Sequence, residues 1–137
     1  MTRINIVDPK ELMDQHLVAE YREIFMVGSS LQRSLASPNW NDNKIPKKFS
    51  LNKGHVMFFY DKGLYLYNRY IWLRSEMERR GMNPDPTRLF KLEQWPEKYL
   101  NDWTATEADK EIVRARIAER IAAKPNWYRK TDVSNQI

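Results

Sequence analysis

Apolar residues along the chain recur at helical rather than strand spacing. Leu17, Tyr21, Ile24, Gly28, Leu31 and Leu35 follow alternating steps of four and three, which draws one buried stripe. The stripe predicts a long helix led by Asp14 or a near neighbour and ended by Pro38. Glu20 and Glu23 fall beside the stripe rather than opposite it. A second stripe of Leu66, Tyr70, Leu73 and Met77 predicts a helix over residues 61–80, closed by Gly81. Thr104 followed by Glu107 is a capping-box pattern for a third helix, running to about Lys124 before Pro125.

The intervening segments read differently. Residues 1–8 look extended, and Asp8-Pro9 suits a short helical turn with Asp as N-cap and Pro in the first position. Residues 38–54 are polar, lysine-bearing and interrupted by prolines, as a loop should be. Over residues 82–103 the prolines break regular structure, and Phe90, Leu92, Trp95, Tyr99 and Trp103 are expected to fold back onto the helices. Phe58 and Phe59 read as core anchors rather than stacking platforms. Strand-like alternation is scarce, and no repeat or long linker divides the chain. The expectation is an all-α fold. Residues 1–137 would form a single compact domain of three main helices, with an extended N-terminal segment packed against them.

Charge and composition narrow the function. With 23 Lys+Arg against 18 Asp+Glu the chain carries +5, which suits a phosphate-bearing partner but also fits other basic proteins. Cysteine is absent, so disulfides, thiolate metal sites and cysteine nucleophiles are excluded. Two histidines, His16 and His55, are too few for a convincing zinc site. No apolar run approaches the ~20 residues of a membrane span and no signal peptide begins the chain, so an intracellular protein is expected.

Candidate chemistry starts at the N-terminus. Removal of Met1 would give Thr2 a free α-amine, whose ordinary pKa of about 7.7–8 lies far below the ~10.4 of lysine. Such an amine is partly neutral near pH 7 and can attack an electrophilic carbon to form an imine. Glu23 offers a carboxylate for proton transfer or charge stabilisation. Taken alone, these residues also fit an ordinary processed terminus and a solvated helix-face charge. Arg3 and Arg22 flank them, able to hold phosphates and to depress a nearby amine's pKa. His16 precedes a stripe position and fits a structural role or a DNA contact equally. On the third helix, Arg116, Arg120 and Lys124 share one face and lead into Trp127 and Tyr128. That pattern suits phosphate tracking with a stacking edge, though a solvated helix face looks similar. Lys44, Lys47, Lys48 and Lys53 would extend the basic footprint.

The segments MTRIN, DQHLVAEYRE, GHVMFFYDK and PNWY, in this order and spacing, resemble the phage-type pyrimidine dimer DNA glycosylase family, also called the UV-repair endonuclease V family. The resemblance runs over nearly the whole chain. It implies a DNA-repair glycosylase with apurinic-site (AP) lyase activity and an all-α fold whose N-terminal segment brings the Thr2 amine to Glu23. Thr2 would attack C1′ of the damaged nucleotide and displace the base. The resulting imine would permit β-elimination, with Glu23 stabilising the sugar cation. Arg3, Arg22 and His16, and the segment bearing Trp127 and Tyr128, would contact DNA, as would Arg116, Arg120 and Lys124. No metal or other cofactor is implied, because the amine replaces an activated water. The implied partner is lesion-containing double-stranded DNA, with the base opposite the dimer extruded. A monomer is expected, without membrane attachment, in the cytoplasm of a bacterial or phage-infected bacterial cell.

The chain also departs from the family. Phe25 and Met26 stand where the family typically has proline and then a substrate-site arginine. The loop over 37–53 is less basic than usual, and the C-terminal aromatic cluster is shorter. These differences point to altered lesion preference, and leave open a non-catalytic or lesion-shifted DNA-binding relative of the same fold. An RNA-acting module is a weaker rival.

Overall fold

Helical structure begins at Pro9 in this computed structural model, which describes residues 3–131. Asp8 caps a 3-10 turn over Pro9–Glu11, its carboxylate accepting the Lys10 N–H. The proline ring pre-sets the backbone angle at a position whose N–H would lack a helical partner anyway. Four α-helices follow among the described residues: α1 (Asp14–Leu35), α2 (His55–Phe58), α3 (Gly63–Arg79) and α4 (Glu107–Ala123). Short 3-10 turns lie between them, and no strand is present among the described residues.

Both predicted stripes are buried. Leu17, Tyr21, Ile24 and Leu31 of α1 pack toward Leu66, Tyr70, Leu73 and Met77 of α3, with Tyr21 stacked on Tyr70 at 5.8 Å between ring centroids. Fully burying one such side chain is worth about 1.5–3 kcal/mol, so these faces supply much of the stability. Val27 joins the buried face of α1, while Leu35 is only half-buried at its end.

The irregular segment after α3 seals the other end of this pair. Trp95 lies against Gly28 of α1 and Gly63 of α3. A Cβ on Gly63 would meet the Trp95 ring and Leu100 at 2.9 Å. Absence of a side chain is therefore what allows Trp95 in. Phe90, Trp95 and Tyr99 are buried, and Leu92 and Trp103 pack against the core. Phe58 and Phe59 are buried as anchors.

The sequence expectations need three corrections. The predicted 61–80 helix starts at Gly63, because GHVMFFYDK forms its own short helix and a 3-10 turn. The α4 cap is Thr106 with Asp109, not Thr104 with Glu107. Both patterns are present, and the one that forms is the reciprocal Thr106–Asp109 box. Glu20 is inside the core, 1% exposed, rather than beside it. Arg69 reaches it from α3 in a two-pronged ion pair at 2.7 and 3.0 Å.

Candidate active site

Two buried arginines and one buried histidine hold the N-terminal segment in place. Arg69 donates to the Val7 carbonyl at 2.6 Å while paired with Glu20. Burial opposes its charge most strongly, but the charge and hydrogen bonding of Glu20, with smaller contributions from Tyr65 and Asp8, together hold its pKa above the usual value. Arg80, paired with Glu76 at 2.8 Å and Asp14 at 2.9 Å, donates to the Pro9 carbonyl at 3.1 Å. His55 accepts the Ile4 N–H at 2.9 Å. Between these supports Ile6 has φ +50°, a conformation that is strained for a β-branched residue.

The segment delivers Arg3 to α1. The Arg3 backbone N–H donates to Glu23 Oε2 at 3.1 Å, and its guanidinium donates to the Leu51 carbonyl. These groups edge a cavity of about 260 Å3 between the N-terminal segment, α1 and α4. His16, Glu20 and Glu23 line it from α1, Arg116 and Arg120 from α4, and Tyr128 from the segment beyond.

Three arginines, Arg3, Arg116 and Arg120, face two carboxylates in the cavity, Glu23 and the Arg69-paired Glu20. Burial, then the charges of Arg116 and Arg120, push the Arg3 pKa below its usual value, and Glu23 opposes this. His16 is lowered by burial first and then by Arg120, which favours its neutral form. Its ring stacks on Tyr128 at 4.6 Å between centroids, and its Nδ1 is buried without a hydrogen-bond partner among the described residues. Among the described residues no three His, Cys, Asp or Glu side chains cluster as metal ligands.

The C-terminal segment is tied to the start of α1. Gln15 donates to the Trp127 carbonyl at 2.7 Å, and Thr131 donates its hydroxyl to Asp14 at 2.6 Å. This brings Tyr128 to the cavity. Trp127 points elsewhere, 61% exposed on an adjoining groove with Arg22 and Arg129. Lys124, at the end of α4, sits 5.8 Å from the Trp127 ring centroid.

Of the ten residues singled out from sequence, Arg3, His16, Glu23, Arg116, Arg120 and Tyr128 line one cavity. Arg22, Trp127 and Lys124 gather beside it, and Thr2 lies outside the described residues. Sequence reasoning missed His55 and the Glu20–Arg69 pair. His55 and Glu20 lie inside segments that carry the family resemblance, but their partners are 51 and 49 residues away along the chain, so their roles could not be read from local pattern.

The sequence model of the pyrimidine dimer DNA glycosylase family matches residues 1–90, well over half of the 137. The chain belongs to the pyrimidine dimer DNA glycosylase family. A DNA glycosylase cleaves the bond between a base and its deoxyribose, so the substrate of this family is DNA. The match takes in the N-terminal segment, α1, α2 and α3, and with them Arg3, His16, Arg22 and Glu23. The α4 wall of the cavity lies beyond the matched residues. No helix among the described residues of this glycosylase is long and apolar enough to cross a membrane.

Proposed function

We propose that this glycosylase is also an AP lyase, acting on UV-induced pyrimidine dimers in duplex DNA through the α-amine of Thr2. The observation that carries the reading is the 3.1 Å hydrogen bond from the Arg3 N–H to Glu23 Oε2. Standard bond lengths keep the nitrogens of consecutive residues within about 4 Å of each other in any conformation. An amine on residue 2 is therefore tethered to the neighbourhood of the Glu23 carboxylate once Met1 is removed.

The residues then take complementary roles. The amine's lone pair forms a bond to C1′ as the base leaves with the electrons of its glycosidic bond. Glu23 stabilises the positive charge that develops on the sugar, as carboxylates do in glycoside cleavage. Opening of the sugar ring, with a proton delivered to its oxygen, gives the imine. Loss of a C2′ proton then expels the 3′ phosphate, and water releases the enzyme. Arg3, Arg116 and Arg120 offer positive charge to flanking phosphates. His16 and Tyr128 form a flat stacked pair at the rim, and Arg22, Lys124 and Trp127 extend the DNA surface. The protein acts as a monomer, making C1′ accessible by bending the duplex and extruding a nucleotide.

Borohydride trapping on UV-irradiated and apurinic duplexes, with the N-terminus verified as Thr2, tests this. Trapping on both, abolished by blocking the terminal amine, is the expected result. Absence of trapping on either would overturn the lyase reading and leave a DNA-binding relative. A lesion-shifted enzyme is the second reading, favoured by Met26, which is 54% exposed on the α1 turn after Glu23 where the resembled family carries arginine. Trapping on apurinic DNA alone would select it.

A further inference from the structure

We propose that His55 is a positioning residue of the reaction, fixing the N-terminal segment so that the chain's terminus meets Glu23. The inference rests on the amine reading above. His55 is 3% exposed and its two ring nitrogens have distinct partners. Nδ1 lies 2.8 Å from the Ser50 carbonyl, which accepts but cannot donate, so the proton sits on Nδ1. Nε2 is then bare, and it accepts the Ile4 N–H at 2.9 Å. A neutral imidazole in one tautomer thus joins the 38–54 loop to the N-terminal segment.

Beyond these two hydrogen-bond partners, the ring is packed between aromatic side chains. Phe49 and Phe59 meet the His55 ring edge-on at 5.5 and 5.4 Å. A phenylalanine would fill that space without the cost of desolvating an imidazole. What histidine adds is a donor to the Ser50 carbonyl and an acceptor for the Ile4 N–H, a single residue away from the N–H bound to Glu23. Ile6 supplies independent support. Its φ of +50° is a strain that persists only where neighbours over-determine the backbone. His55 on Ile4 and Arg69 on Val7 bracket that strained bend. Releasing the His55 side would let the segment relax and shift Arg3 relative to Glu23.

Three variants test this: His55→Phe removes the acceptor and keeps the ring, His55→Asn keeps reach to Ser50 but not to Ile4, and His55→Gln keeps reach to Ile4. Single-turnover borohydride trapping, duplex-DNA affinity, thermal midpoint and hydrogen exchange at the Ile4 amide are measured for each. H55F and H55N should trap about 10- to 100-fold more slowly, the loss expected for a misplaced reacting group, with DNA affinity unchanged. H55Q should recover most of the rate, and Ile4 exchange should speed up only in H55F and H55N. Wild-type rates in folded H55F and H55N would overturn the inference, as would slowing matched by an equal loss of DNA affinity. If H55F does not fold, the Asn and Gln pair decides, and equal rates in those two would overturn it. Wild-type protein is trapped in parallel with free and blocked terminus, so failure of the amine chemistry itself is seen separately.

Discussion

Arg3 and Glu23 are joined through the backbone rather than through their charges: the Arg3 amide N–H donates to Glu23 Oε2 at 3.1 Å, while the Arg3 guanidinium turns away to the Leu51 carbonyl. The two charges interact at a distance, but among the described residues the Arg3 guanidinium forms no ion pair with Glu23.

Glu23→Gln separates these two functions. The amide retains an acceptor for the Arg3 N–H but carries no charge. Base release in single-turnover assays should fall by about 10²- to 10⁴-fold, the range for loss of a positioned acid–base group. The thermal midpoint should stay near wild type, because Glu23 is only half-buried.

Arg69→Met would leave Glu20 buried without its partner. The expected loss is about 3–5 kcal/mol, read from urea denaturation. The double variant Glu20→Leu with Arg69→Met removes both charges and should recover part of that stability. It should not restore the hold on Val7, so amide exchange near residue 7 should remain fast.

Gly63→Ala would set a Cβ 2.9 Å from the Trp95 ring and Leu100. Both neighbours are packed against the core, so the helical gain from alanine is outweighed by overpacking of about 1–3 kcal/mol. A lower urea midpoint with an unchanged denaturant slope is the expected signature.

Acid should weaken the fold through His55. Its folded pKa lies below the ordinary value, from burial first, opposed by the Ser50 carbonyl. The charged groups facing it are Arg3 from the N-terminal segment, Glu20 from α1 and Arg116 from α4. For a depressed histidine, the unfolded chain binds the proton first as pH falls. The stabilising contribution is therefore complete above about pH 6.5 and lost as pH falls through the folded pKa. His16 is lowered too and acts in the same direction. Asp14 and Glu76, also lowered, lose their contributions only at more acidic pH. Denaturation from pH 8 to 5 should show a shallower decline in H55Q than in wild type.

Arg116→Gln and Arg120→Gln should each weaken duplex binding with little dependence on sequence. Each should also reduce the slope of log affinity against log salt by about 1, as expected for loss of one phosphate contact. Fluorescence anisotropy over a salt series measures both effects.

The helical stripes were legible because they depend on local periodicity. Leu17 to Leu31 and Leu66 to Met77 are buried as their spacing predicts. The α4 start was two residues out because two capping patterns overlap at Thr104 and Thr106, and the one that forms is the reciprocal Thr106–Asp109 box. Glu20 looked like a stripe-edge carboxylate because its partner Arg69 is 49 residues away. His55 received no role from sequence beyond its place in GHVMFFYDK, because its acceptor role depends on Ile4, 51 residues earlier.

By itself the sequence determined the helical class, the two packing stripes, the basic charge and the motifs that mark the family. Periodicity, charge and the order of the motifs can all be read along the chain without knowing which distant residues touch. Only tertiary structure decided that Arg3, His16, Glu23, Arg116, Arg120 and Tyr128 line a single cavity. It alone showed that Arg69, Arg80 and His55 aim the N-terminal segment there. Those contacts join groups far apart in sequence, and their strength comes from burial, which local pattern does not record.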